Sequence, residues 1–282
     1  MFERILVAVD GSEYGFAALE QALELAEDLG STVHVLHVID ARLTKLPYIL
    51  AALPTSLAPE VGSAWVEWAT QVTEGLRALG EAILEHAKTR CAEAQIPCQT
   101  ELEEGNVSRV ILERARHADV IVMGRKGAGA RVGGPLLGSS FEAIVRHAPV
   151  PVLGVQREAR PLRRLLVAYD GSERAEDALH VVIELARHRD RAVILLTVDD
   201  GHEGRRRAFE AARRHLEEAG VPFEALFRSG HPAEVILETA DETSSDLIAM
   251  GAYGHRRFLE ILFGSTVDDV MRRTTLPILI VR

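Results

Sequence analysis

The sequence predicts an α/β protein built as two tandem doubly wound domains, each with a five-stranded, mostly parallel sheet. Three observations predict it. Apolar strand-like runs rich in Val, Ile and Leu alternate with amphipathic helical segments, as parallel sheets covered on both faces require. The series of elements is written twice. The joint between the copies, near 157–163, is too short to leave a free linker, so the halves should pack together.

The repeat is read directly. Residues 4–13 are RILVAVDGSE and residues 164–173 are RLLVAYDGSE, differing only at Ile5/Leu165 and Val9/Tyr169. Met123-Gly124 recurs as Met250-Gly251, Gly138-Ser139 as Gly264-Ser265, and Pro151-Val152 as Pro277-Ile278. The offset between copies falls from 160 to 127 and then to 126. The first copy is therefore 33 residues longer in its early part and one residue longer in a later loop. The boundaries expected are 1–157, with an insertion at about 41–79, and 163–282.

In the first copy, Ile5–Val9 reads as a buried strand. Glu13–Leu29 follows as a helix, with Ala17, Leu19, Ala22, Leu23, Leu25 and Ala26 on one stripe. Thr32–Ile39 is the second strand. The insertion carries Pro47, Pro54 and Pro59 and the pair Trp65 and Trp68, for which core packing is expected over a stacking surface. Glu74–Ala94 is a helix, Cys98–Leu102 a weaker strand and Val107–Arg116 a helix. Val120–Met123, Ser139–His147 and Val150–Val155 complete the copy as strand, helix and strand. The second copy repeats the order as Leu165–Tyr169, Glu173–His188, Ala192–Val198, Glu203–Glu218, Phe223–Phe227, Ala233–Glu242, Leu247–Met250, Ser265–Arg273 and Ile278–Val281.

Composition limits the function. A chain that is 47% hydrophobic and 26% charged has the balance of a globular protein, which excludes a disordered one. Thirty-two Lys and Arg against 42 Asp and Glu leave a formal charge of −10, which disfavours nucleic-acid binding. No run reaches the roughly 20 apolar residues that span a bilayer, and the N-terminus has no signal-peptide pattern, so no membrane partner and a cytoplasmic location are expected. Cys91 and Cys98 supply neither a disulfide framework nor a zinc-type pairing. The histidines read as isolated: His34 and His37 fall on opposite faces of a strand, and His86, His117, His147, His180, His188 and His215 mostly stand alone on helices. No metal ligand set is expected.

In open parallel sheets, ligands bind at the carboxyl ends of the strands. Asp10-Gly11-Ser12 and Asp170-Gly171-Ser172 follow the first strand of each copy. Met123-Gly124-Arg125-Lys126-Gly127 and Met250-Gly251-Ala252-Tyr253-Gly254 follow the fourth, where glycine would let a ligand approach the backbone. Gly138-Ser139-Ser140 and Gly264-Ser265-Thr266 open the last helices. A helix start with glycine and hydroxyls favours phosphate, through free N–H groups and the positive end of the dipole. Arg125, Lys126, Arg131, His255, Arg256 and Arg257 add positive charge to these loops. Asp-Gly-Ser and Gly-Ser are also ordinary helix caps. Their recurrence at matching places in both copies favours a site. Other nucleotide motifs do not fit: 133–138 has P-loop glycine spacing, but Ser139 stands where lysine is needed, and Val132 breaks a dinucleotide fingerprint begun at Gly127.

These residues resemble the universal stress protein family in its tandem form. The family's signature is G-x2-G-x9-G-[ST]. The second copy matches it at Gly251, Gly254 and Gly264-Ser265. The first has Gly124 and Gly127, but ten residues before Gly138-Ser139. The resemblance covers nearly the whole chain outside 41–79. It implies ATP, with or without Mg, or a related adenine nucleotide in each competent domain. Asp10 and Asp170 would hold the nucleoside end, and Val38 and Val198 would sit beside adenine. Met123, Gly124 and Gly127, with Met250, Gly251 and Gly254, would line the nucleotide. Gly138, Ser139 and Ser140, with Gly264, Ser265 and Thr266, would meet phosphate. It also implies pairing through final strands, so the halves would form an intrachain pseudo-dimer, open to further homo-oligomer formation. The resulting expectation is a stress-response sensor or regulator. Neither phosphate loop shows a carboxylate placed to activate water, so no catalytic residue is assigned. Two alternatives stay open: a nucleotide-independent interaction scaffold, and a protein that slowly hydrolyses ATP or phosphorylates itself at Ser139 or Ser265.

Overall fold

The computed structural model describes residues 2–45, 59–127, 137–189, 191–199, 201, 204–252 and 264–282. The first half runs β1 (Arg4–Ala8), α1 (Glu13–Leu29), β2 (Thr32–Asp40), α2 (Pro59–Glu93), β3 (Cys98–Gly105), α3 (Val107–Arg114), β4 (Val120–Gly124), α4 (Ser139–His147) and β5 (Val152–Val155). The second runs β6 (Arg164–Ala168), α5 (Glu173–Ala186), β7 (Ala192–Asp199), α6 (Arg205–Ala219), β8 (Phe223–Ser229), α7 (Pro232–Glu242), β9 (Leu247–Gly251), α8 (Ser265–Arg273) and β10 (Ile278–Val281).

The ten strands among the described residues form one sheet, in the order β3-β2-β1-β4-β5-β10-β9-β6-β7-β8. Each half is parallel throughout. The halves meet at β5 and β10, which pair antiparallel with Leu153 opposite Leu279. The predicted tandem doubly wound halves, packed as a pseudo-dimer, are what the chain forms.

Alternation along the strands sorts the core into two layers. Ile5, Val7, Val33, Val35, Val120 and Val122 face α1 and α2, and their second-half equivalents face α5 and α6. Leu6, Leu36, Ile121 and Met123 face the layer of α3 and α4, as Leu166, Ile194, Ile248 and Met250 face that of α7 and α8. The central strands are buried on both faces, which is why they read as continuous apolar runs. A fully buried aliphatic side chain contributes about 1.5–3 kcal/mol of transfer free energy.

Residues 59–79 of the insertion form an N-terminal extension of one helix. Ile83 of α2 crowds Gly11 as Ala208 of α6 crowds Gly171. Both helices end at a left-handed residue, at Gln95 and Gly220. On that alignment Gly80 corresponds to Arg205, so 59–79 add turns ahead of the repeated part. Ile83, Leu84, Ala87 and Cys91 are buried against the sheet. Trp65 and Trp68 are instead exposed and meet edge to face, with ring centroids 5.6 Å apart. The core packing expected for them is wrong, because the extension carries them beyond the surface that the repeated part covers.

Candidate functional site

In each half the strand order reverses direction beside the first strand, between β1 and β4 and between β6 and β9. This is the switch point where a doubly wound sheet opens a crevice at the carboxyl ends of its strands. Because the halves are antiparallel at their junction, the two crevices open at opposite ends of the strands.

The Asp-Gly-Ser segments are helix starts. Ser12 caps α1 by accepting from the Gly15 N–H at 3.1 Å, and Ser172 caps α5 by accepting from the Ala175 N–H at 3.2 Å. Asp10 Oδ1 accepts from the Ser12 N–H at 3.0 Å and from its hydroxyl at 2.5 Å. Asp170 Oδ1 accepts from the Ser172 N–H at 3.0 Å. The capping alternative therefore holds here, with each carboxylate fixed at the crevice by its own turn. Arg205, largely buried, stands 3.7 Å from Asp170 Oδ2 and donates to the Asp170 carbonyl.

The Gly-Ser helix starts differ. Gly138 and Gly264 are the N-caps of α4 and α8, and neither helix has a side-chain cap. Ser139 and Ser265 are exposed at these ends, with Ser140 and Thr266 half-buried behind them. Helices that leave their first N–H groups without side-chain acceptors are suited to an anion. The acids in their first turns, Glu142 and Asp268, are both engaged by Arg272, at 2.9 Å each.

In the first half these parts converge. A Cβ on Gly127 would come within 2.7 Å of Asp10 Oδ2, and one on Gly138 would lie 3.7 Å from the Gly127 nitrogen. The Gly138 N–H donates to the Arg125 carbonyl at 2.8 Å, holding the helix start against the end of β4. Gly124 and Gly251 do something other than admit a ligand. A Cβ there would meet the backbone of Tyr14 at 2.9 Å and of Arg174 at 2.5 Å, so these glycines let the first helix of each half lie against the strand end. Met123 and Met250 are buried in the core, and Val38 and Val198 are half-buried beside it. Gly254 lies outside the described residues, as do Arg131, His255, Arg256 and Arg257.

Arg125 is not a cation of the phosphate loop. It is almost fully buried and reaches across the junction, donating to the carbonyls of Thr274 at 2.9 Å, Leu276 at 3.3 Å and Met271. Desolvation lowers its pKa to about 10. It thus serves the last carbonyls of α8, where the helix dipole favours a cation. Its counterpart in the second half is Ala252, also buried. That unrepeated charge was the sequence signal for a junction role. A shallow groove between α3 and α4, lined by Asn106, Arg109, Glu113 and His147 among others, involves none of the predicted residues.

The model of the universal stress protein family matches residues 1–156, 161–210 and 199–282. The chain belongs to the universal stress protein family. A universal stress protein of Synechocystis sp. is 28% identical over 99% of this chain and 100% of its own length. One from Mycolicibacterium smegmatis is 27% identical over 99% and 96%. The crystal structure of a universal stress protein from Archaeoglobus fulgidus superposes with a TM-score of 0.74 at 22% identity, covering 99% of this chain and 96% of that one. That likeness speaks to the fold, a tandem family member along its whole length. No described helix is long and apolar enough to cross a membrane.

Proposed function

We propose that this universal stress protein is an adenine-nucleotide-binding sensor or regulator, taking ATP, with or without Mg, in a crevice of each half. The observation that carries the reading is the contrast between helix starts. α1 and α5 are capped by Ser12 and Ser172. α4 and α8, at the same crevices, begin at glycine with no side-chain cap and an exposed serine. In this reading Asp10 and Asp170 hold the nucleoside end, Val38 and Val198 flank the base, and the Gly138 and Gly264 helix starts take phosphate. Met123 and Met250 act from beneath, as buried supports of the loops, and Gly124 and Gly251 fix the first helices. Gly127 and Gly254 border the phosphates, and Ser139, Ser140, Ser265 and Thr266 add hydroxyls. The two binding units are 1–157, with its insertion at about 41–79, and 163–282.

Calorimetric titration of nucleotide-stripped protein with Mg-ATP, repeated with ADP and AMP, tests this. Two sites per chain are expected. Asp10→Ala should remove the first and Gly264→Asp the second, the latter by placing a carboxylate against phosphate. Unchanged stoichiometry in Gly264→Asp would refute the phosphate placement. Absence of binding by the folded chain would leave the interaction scaffold as the better account.

A further inference from the structure

We propose that Glu176, His180 and His215 form a binding site for a divalent transition metal of the zinc class, on the outer surface between α5 and α6. Among the described residues these three form a cluster whose ligand atoms, one from each, all lie within 4.8 Å of one another. Glu176 and His180 are one helical turn apart on α5, so the i and i+4 positions share a face. His215 comes from α6, across the helix pair.

The geometry is already partly drawn together. His215 Nδ1 stands 3.2 Å from Glu176 Oε1, close to the roughly 3.3 Å between neighbouring ligands of a tetrahedral zinc with bonds near 2.0–2.1 Å. The rings of His180 and His215 meet edge to face, with centroids 4.6 Å apart. Small side-chain rotations bring the third donor in.

Two further contacts hold the donors in a usable state. His180 Nδ1 lies 2.9 Å from the Glu176 carbonyl. A proton on that nitrogen donates to the carbonyl and leaves Nε2 with its lone pair. The Tyr169 hydroxyl donates to Glu176 Oε2 at 2.6 Å, orienting the carboxylate while Oε1 faces His215. Metal-bound carboxylates and imidazoles are commonly positioned by such outer contacts. Two imidazoles and one carboxylate suit zinc and its neighbours rather than Mg or Ca, which prefer all-oxygen sets. Three protein ligands at a half-exposed surface leave a coordination position to water.

The first half supplies an internal control. The offset of 160 places Val9, Phe16 and Glu20 where the second half has Tyr169, Glu176 and His180. The helix alignment places Arg90 opposite His215. There Glu20 and Arg90 form a two-pronged ion pair at 2.8 and 2.9 Å, and Phe16 packs edge to face on His86. The same helix pair is thus closed by a salt bridge in one half and lined with metal donors in the other. All four positions differ together, which packing of the helices does not require.

Titration of the full-length, chelator-treated chain with Co(II), read by visible absorption and followed by Zn(II) displacement, tests the site. One equivalent per chain with the intense bands of tetrahedral cobalt is expected. His180→Ala and His215→Ala should each weaken binding by at least about a hundredfold, and Tyr169→Phe by about tenfold. His147→Ala should change nothing; that histidine makes the same contact to a carbonyl four residues back, at 2.9 Å, but belongs to no cluster. Should His215→Ala fail to fold, His180→Ala decides alone, since that side chain is exposed. No saturable binding, or binding undiminished in folded His180→Ala, overturns the proposal.

Discussion

The junction between the halves makes its sharpest prediction at Arg125. The drop in its pKa to about 10 corresponds to about 3 kcal/mol against the buried charged form. Against that stand donations to three carbonyls at the end of α8 and the turn after it, each worth about 1.5–3 kcal/mol for a charged donor. Arg125→Ala relieves the desolvation but takes the side-chain donor from the carbonyls of Met271 and Leu276, leaves that of Thr274 with the Gln156 amide alone at 3.1 Å, and removes the side-chain stem that lies against Gly154. A loss of about 3–5 kcal/mol is expected. Arg125→Met keeps the stem and should lose about half as much. Urea unfolding followed by far-UV circular dichroism measures both, with the slope checked for constancy. A change within about 0.5 kcal/mol for Arg125→Ala would refute the reasoning. Weakened ATP binding with unaltered stability would return the guanidinium to the phosphate loop.

Two other outcomes follow from charges on the page. Asp28 and Arg191 form an ion pair linking the halves, at 1% and 3% side-chain exposure. Asp28→Asn takes from buried Arg191 its paired carboxylate, leaving the weaker attraction of Glu24, and should cost about 3–5 kcal/mol in the same unfolding assay; a neutral result would refute this. At the outer edge of the first half, Arg114 holds the Glu101 carboxyl below its ordinary 4.5. The unfolded chain therefore binds the proton more readily, so this contribution is complete above about pH 4.5 and fades as pH falls through the lowered folded value. Arg114→Gln should raise the Glu101 midpoint measured by NMR and flatten that part of the acid limb; an unmoved midpoint would place the cause elsewhere.

The fold was legible because its determinants are local and repeated. Two-sided burial writes a parallel strand as an unbroken apolar run, and a second copy of each run confirms the first. Helices Glu13–Leu29 and Ser139–His147 and strand Ile278–Val281 fall where periodicity put them. Ends set by capping geometry slipped by a turn or less, as where Val107–Arg116 stops at Arg114 and continues as a short 3-10 turn. The start of α2 lay beyond reach, since the stretch ahead of Glu74 has no counterpart in the second half against which to read it. At the site, residue types pointed to the right places but not always to the right physics. A glycine after a strand suits a ligand or a neighbouring helix equally, and the structure gives the space at Gly124 and Gly251 to helices. Arg125 failed for a related reason: composition shows charge, but not that the chain folds that charge inward onto distant carbonyls.

The departures from repetition carry the most information about how the halves divide their work. Two copies of one fold have the same packing problem, so positions that differ without a packing reason mark a difference in task. Arg125 against Ala252 is explained by the junction. Tyr169, Glu176 and His180 against Val9, Phe16 and Glu20 are not, because both helix pairs close well over their strands. Arg205 against Gly80 falls in the same group. It ties Asp170 to α6 in the second half, whereas at Gly80 a Cβ would meet Leu102 at 2.7 Å and His37 at 2.9 Å. In the second half the carboxylate proposed for the nucleoside end is thus linked to α6 through Arg205, and that helix also carries His215. A metal ion fixing His215 against Glu176 would hold the same helix that sets Arg205 against Asp170, so the two proposed sites of the second half share one element.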